Sequence, residues 1–377
     1  MEAQSPFSPR HPASKTYCPL VERMRAHYGC GKIDRKTFVP ELKTAISRLK
    51  EHPFTLIGLA DREKFHTGLL AHALRCSIDR DRGSAIDIVS ELWGDHIAAS
   101  QLQRAQKIEV FVEEGSVDLG IRVDGDVAYF AEMKLKTGLA DHQLKKYKHK
   151  HPDACGVVLG LFSEETGHED IASRKFPDII SSSFKMPPIS DELDEAKQDS
   201  LILLRMWKDY LSALANVSGQ FEKAGLGPIE GAERLKEDLR TLKLKGVFEA
   251  FRYRLILAEV QKRNCPGSAE IFNTHGNAGI HFKFDRDMPF GLQWQAGALK
   301  LFVEDPRFKN GVSSDLRDAR LEQLAEKYVS HFGLAKRILL GRPGKFRSVT
   351  VDRWSIFEPC KERIEKIVDG LVYLGAL

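Results

Sequence analysis

At 377 residues the chain can bury a sizeable core, and its length suggests two domains or one large domain with additions. With 42% hydrophobic and 29% charged residues it is neither disordered nor fibrous, and a net charge of +4 permits a polyanionic partner without demanding one. No apolar run reaches the roughly 18 residues of a membrane span, no apolar signal core opens the sequence, and the six cysteines form no CxxC pair, so a cytoplasmic protein without membrane contact, disulfide framework or zinc knuckle is expected.

Residues 1–16, with three prolines and no apolar period, read as a flexible tail. Pro40 to Lys50 is amphipathic and helical, with Pro53 closing it off. Asp61 stands where an N-cap belongs, and Glu63 to Arg75 has helical apolar spacing. A weaker helix covers Ile86 to Ile97.

Lys107 to Val112 is rich in β-branched and aromatic residues, and Val117 to Val123 alternates. Asp124-Gly125-Asp126 is turn chemistry, and Val127 to Leu135 alternates again. This is a strand followed by a hairpin. Asp141 to Lys150 then reads as a basic helix, and Cys155 to Phe162 as a buried strand, so the helix is a crossover to a parallel strand. Residues 166–198, rich in Ser, Pro, Asp and Glu, are expected to be a surface loop region. Helices are predicted over Asp199 to Ala215, Glu230 to Lys262, Asp315 to Phe332 and Pro359 to Leu371. Short strands are predicted over Glu270 to Phe272, Gly279 to Phe284, Gly291 to Gln295 and Ala298 to Val303. The chain therefore divides into a tail, a compact core at 17–165 with its N-terminal helices, the loop region, and a helical and β-containing region at 199–377.

On the hairpin, Asp118 shares a sheet face with Gly120 and Arg122, while Glu132 and Lys134 share one with Ala128 and Phe130. A three-residue loop, Asp124 to Asp126, places Asp118 directly opposite Glu132 with Cβ atoms about 5 Å apart; a two-residue loop would send Glu132 to the other face. The three-residue loop is the expectation. Two facing carboxylates repel unless a cation lies between them, and oxygen ligation suits Mg²⁺ or Mn²⁺. Lys134, on the same side, could hold an attacking water or neutralise charge growing on a phosphate. In isolation the D-x13-E-x-K spacing is permissive and more often describes a solvated hairpin face with a cross-strand ion pair.

The surrounding elements carry a resemblance. Asp118 on the second strand, Glu132-Met133-Lys134 on the third and Gln143-Leu144-Lys145-Lys146-Tyr147 on the following helix resemble the PD-(D/E)XK nuclease superfamily, in its RecB-like QLxxY branch, and Glu63-Lys64-Phe65-His66-Thr67-Gly68-Leu69-Leu70 resembles the ExxH(S/T) opening helix of uncharacterised bacterial members of that superfamily. The common proline before the first acid is missing, since Ser116-Val117 precedes Asp118. The resemblance spans about 100 residues and implies an α/β fold: a restriction-endonuclease-like αβββαβ core with a C-terminal α+β extension. It implies Asp118 and Glu132 as metal ligands with the Met133 carbonyl assisting, and Lys134 as the catalytic lysine. Glu63 would complete the metal shell, directly or through water, and Gln143 and Tyr147 would contact the nucleic-acid backbone or orient the site. His66, one turn after Glu63, could join the shell; a core histidine is the alternative. Glu109, on the first strand, is a candidate extra acid, with a structural role the preferred reading.

Lys145, Lys146 and Lys148, interleaved with His142, His149 and His151, form either a solvated helix face or a phosphate-contacting one. Gly341 to Lys345 lacks phosphate-loop spacing and reads as a basic turn, and the dispersed tryptophans read as core. The expected activity is Mg²⁺- or Mn²⁺-dependent hydrolysis of phosphodiester bonds, in DNA ahead of RNA, with phage defence, restriction or repair as roles suggested by analogy. Two alternatives stay open: a catalytically degenerate relative that binds nucleic acid or protein, and an interaction protein in which residues 199–377 hold a protein partner or a second copy.

Overall fold

The computed structural model describes residues 42–80, 82–94, 99–114, 117–135, 141–163, 171–184, 195–227, 229, 232–274, 277–285, 288–304, 315–334, 346–358 and 361–377. The predicted tail and the Gly341 to Lys345 turn lie outside them.

The described residues form a mixed α/β structure with two five-stranded sheets. Helices α1 (Leu42–Glu51), α2 (Pro53–Leu56), α3 (Glu63–Arg80), α4 (Arg82–Trp93) and α5 (Ala99–Arg104) precede the first sheet. Pro53 does more than end α1. It opens α2 at a position that needs no N–H, capped by His52 Nδ1, which accepts from Phe54 N. Asp61 is not the cap of α3: the Arg62 carbonyl accepts the first helical bond, from His66 N, and Asp61 instead pairs with Lys243.

The first sheet holds β1 (Ile108–Glu114), β2 (Val117–Val123), β3 (Asp126–Lys134), β4 (Cys155–Gly160) and β5 (Ile171–Lys175) in chain order. β1, β2 and β3 are antiparallel, and β4 and β5 run parallel to β3. Helix α6 (Asp141–Lys150) makes the crossover from β3 to β4. The αβββαβ order is thus present, with one further parallel strand.

The hairpin reaches its expected register by an unexpected route. Asp124 (φ 51°) and Gly125 (φ 105°) both take left-handed conformations, which is the two-residue hairpin turn and not a three-residue loop. A bulge then adds Ala128 to β3, since Arg122 pairs with Val127 while Ile121 pairs with Tyr129. The extra residue restores the alignment that a longer loop would have given, and Leu119 pairs with Ala131. Glu132 therefore stays on the face of Asp118.

The two faces of this sheet have different covers. Tyr129, Ala131, Met133, Leu119 and Ile121 pack into the main apolar core, where α3 lies across β1 to β3 and α4 against β4. Two side-chain bonds fix these helices: Arg75 Nη2 donates to the Val110 carbonyl at 2.8 Å, and Trp93 Nε1 to that of Phe130 at 2.9 Å. The other face carries a small second core of Phe111, Val117, Phe130 and Val158, over which α6 lays Leu144 and Tyr147.

The described residues within 166–198 are not a surface loop. They form β5 and α7 (Phe176–Ser183), whose Phe176, Ile180 and the following Phe184 are buried, and the start of α8 (Glu195–Ala224). Helices α9 (Ala232–Thr241) and α10 (Lys245–Gln261) lead to the second sheet. It is an antiparallel meander of β6 (Ser268–Thr274), β7 (Asn277–Phe284), β8 (Phe290–Gln295), β9 (Ala298–Glu304) and, beyond α11 (Asp315–Phe332), β10 (Phe346–Arg353). Helix α12 (Lys361–Gly375) ends the chain. Strand β10 is an addition to the predicted elements. One apolar core runs through both halves, so 199–377 does not stand apart from the first sheet. Trp93, Trp207, Trp294 and Trp354 all belong to it, as their dispersal suggested. Among the described residues no helix is long and apolar enough to cross a membrane.

Candidate active site

Beyond Leu119 and Ala131 the β2–β3 ladder gives way to a side chain: Asp118 Oδ2 accepts from Met133 N at 2.9 Å. A strand residue sends its N–H and C=O to the same edge, so the Met133 carbonyl is also directed to the side of Asp118. Glu132, 1% exposed, stands beside Asp118 on β3, and the two carboxyl groups are close enough to act directly on each other. Lys134 Nζ lies 2.6 Å from Glu132 Oε1. The Tyr147 side chain reaches from α6 toward Glu132, near enough for the Glu132 charge to act on it, with its ring held edge-on to Phe130.

Burial pushes both acids above the usual carboxylate range. For Glu132 the Lys134 ammonium opposes the rise and the Asp118 charge adds to it. For Asp118 the Met133 N–H and Lys134 oppose it, and Glu113 adds to it. Tyr147 is raised as well, by burial first and then by the Glu132 charge. Glu132 Oε2 is buried and has no hydrogen-bond partner. A buried carboxylate oxygen without a donor, beside a second carboxylate, is costly unless a proton or a cation lies there. The donor set of two carboxylates and a strand carbonyl is all oxygen and fits a hard divalent cation.

Other expected residues are placed differently. His66 is 0% exposed, and both ring nitrogens are committed: Nδ1 accepts from Trp207 Nε1 at 3.0 Å, and Nε2 donates to the Ala60 carbonyl at 2.9 Å. No lone pair is left for a metal, so His66 is a core histidine and not a ligand. Glu63 is half-buried in the first turn of α3, where its carbonyl accepts from Thr67 Oγ1. Among the described residues no three His, Cys, Asp or Glu side chains gather as a metal-binding group, so Glu63 does not stand with the two acids as a third direct ligand. Gln143 lies on α6, but its side chain is outside the described part. Lys145 and Lys146 are exposed on α6. Lys148 is not a free phosphate contact, because its ammonium donates to the Pro152 and Ala154 carbonyls and closes the end of the helix. Glu109 is exposed on β1, its carboxylate 3.6 Å from Arg122.

One neighbour was overlooked in the sequence. Glu113 occupies the β1 position across from Asp118 and acts on its titration, yet it has φ 52° and its carboxylate engages Lys64 at 2.5 Å. The alternation of β1 places Glu109, Phe111 and Glu113 on one face, which was the available signal. The floor of the site depends on Gly120: a Cβ there would sit 2.0 Å from Phe111 Cζ, and the Phe111 ring in turn carries the Arg122 guanidinium at 4.2 Å.

Comparison with family models, curated proteins and solved structures found no match to this chain.

Proposed function

We propose that the chain is a divalent-metal-dependent nuclease of the PD-(D/E)XK kind, with Asp118, Glu132 and Lys134 as its catalytic centre. The observation that carries this reading is that Asp118 and the buried Glu132 share one sheet face on neighbouring strands, Glu132 with an unpartnered oxygen, beside a lysine ammonium at 2.6 Å. Asp118, Glu132 and the Met133 carbonyl would hold Mg²⁺ or Mn²⁺. Such an ion supplies Lewis-acid polarisation of the phosphodiester and offsets the charge that builds on it.

The protein's own groups do the rest. Lys134 is held by Glu132 at the mouth of the site, where its ammonium meets a phosphate oxygen or orients water for attack. Tyr147 excludes water from the Glu132 side and keeps that carboxyl turned toward Asp118. Lys145 and Lys146, on the exposed face of the same helix, draw in the polyanion. DNA is the proposed substrate ahead of RNA, the cytoplasm the proposed compartment, and defence, restriction or repair the role by analogy.

The test is cleavage of linear, circular, single- and double-stranded substrates with Mg²⁺, Mn²⁺ or EDTA, using wild type, Asp118→Asn and Lys134→Ala. Cleavage lost in EDTA and in both variants supports the proposal. Cleavage undiminished by Asp118→Asn sinks it, and binding without any cleavage favours a degenerate relative.

A further inference from the structure

The second sheet has one face buried and one with no described helix on it. Ile280, Phe282, Leu292, Trp294, Leu301 and Val349 point into the core beneath α10, α11 and α12. The register puts Glu270, His281, Gln293, Lys300 and Thr350 in one row across the opposite face. Four rings cluster there. His281 lies 4.1 Å from Phe272, 5.2 Å from Phe302 and 5.8 Å from Phe346, centroid to centroid, all at shallow interplanar angles of 35–36°. Phe302 is buried among them, whereas Phe346 is 43% exposed. Phe272 is laid flat by Gly279, where a Cβ would come within 2.5 Å of its ring. Gln293 Nε2 is 2.7 Å from His281 Nε2, which holds the imidazole in the plane of the cluster.

Charge on this face is divided. Glu270 lies at the β6 edge and Lys283 stands between Asp285 at 3.2 Å and Glu304 at 3.4 Å, while the cations that favour an anion gather on the β9 and β10 side. Lys300 and Arg353 lie close enough for their charges to oppose each other, and among the described residues neither side chain makes an ion pair. Two adjacent cations beside flat-lying rings match phosphates beside bases: stacking needs only a π face, and the backbone supplies the anion.

We propose that this sheet face binds single-stranded nucleic acid, with Phe272, His281 and Phe346 stacking bases and Lys300 and Arg353 meeting phosphates. The proposal does not rest on the nuclease reading, because binding is measured where nothing is cut.

The experiment is fluorescence anisotropy in EDTA with labelled oligothymidine and oligouridine of about 20 nucleotides and a duplex of equal length. Single strands should bind more tightly than duplex. Phe346→Ala should weaken that binding about 5- to 100-fold, with Phe346→Tyr restoring it. Lys300→Ala should weaken it and flatten its salt dependence. Phe346 is at the surface, so its replacement leaves the fold intact, which the melting temperature checks. Equal binding by wild type, Phe346→Ala and Lys300→Ala would overturn the proposal. So would a preference for duplex, or self-association of the wild type that Phe346→Ala abolishes, since a second copy would then be the occupant.

Discussion

Asp118→Asn should stabilise the metal-free protein at neutral pH while removing its response to divalent cations. Two unit charges on facing residues of neighbouring strands, about 5 Å apart, repel by about 3 kcal/mol at an effective dielectric of 20. Asp118 is only half-buried and Lys134 compensates part of this, so about 1–2 kcal/mol is the expected relief. At about 2.1 cal/mol/K of unfolding entropy per residue, 377 residues turn that into a rise of roughly 1–3 °C in Tm. The sign follows from the direction of the shifts. Both acids bind protons more tightly folded than unfolded, so stability falls as pH climbs through and above the ordinary carboxylate range, from 3.8 and 4.5 upward, and stays reduced at neutral pH. The advantage of Asn should therefore vanish near pH 4. Thermal melts with EDTA and with saturating MgCl₂, at pH 4 and pH 7.5, read all of this. Wild type should gain about 3 °C from Mg²⁺ at a hundredfold excess over Kd, and the variant much less. A lower melting point for metal-free Asp118→Asn at neutral pH, or an equal response to Mg²⁺ in both proteins, would refute the reasoning.

Four further outcomes are expected. Lys134→Ala should slow cleavage by about 10²-fold or more while leaving nucleic-acid binding nearly unchanged, read as kcat against KM. His66→Ala should destabilise by about 2–4 kcal/mol in denaturant melts, because it opens a cavity and strands Trp207 Nε1, and it should leave the Mg²⁺ response intact; a lost response would return His66 to the metal shell. His52, held down to about 4 by burial, contributes stability that is complete above pH 6.5 and lost as pH falls toward 4; His52→Gln should flatten the melting curve across that window. Gly120→Ala should cost both stability and cleavage, since Phe111 must leave its place over the strand.

The strands of the first sheet were legible because alternation and turn residues lie within a few positions of each other. The device that set the register was not. Asp-Gly-Asp serves a three-residue loop or a two-residue turn with a bulge at Ala128, and both bring Tyr129 to the same face, so the apolar alternation does not tell them apart. His66 shows the same limit more sharply. Its spacing from Glu63 is what a metal shell would use, yet its ring is claimed by Trp207, 141 positions away, which no local pattern reports. The β5 strand was hidden because it is five residues long with one fully buried side chain, and the composition around it is that of a loop. Lys148 looked like its neighbours Lys145 and Lys146. Only the path of the chain through Pro152 and Ala154 separates them.

The geometry of Asp118 also decides how the central proposal has to be tested. Its Oδ2 takes the Met133 N–H, a bond that would otherwise fall to the backbone of β2, so this carboxylate closes the end of the hairpin as well as facing Glu132. Asp118→Ala removes both functions together. It leaves a strand N–H without its acceptor, which costs about 1–3 kcal/mol where water cannot replace it, and Glu132 is then free to move. Loss of cleavage in that variant would have two causes. Asparagine keeps an oxygen to accept from Met133 and discards the charge, so a protein that is more stable, still folded at the hairpin and inactive isolates the charge as what the chemistry needs.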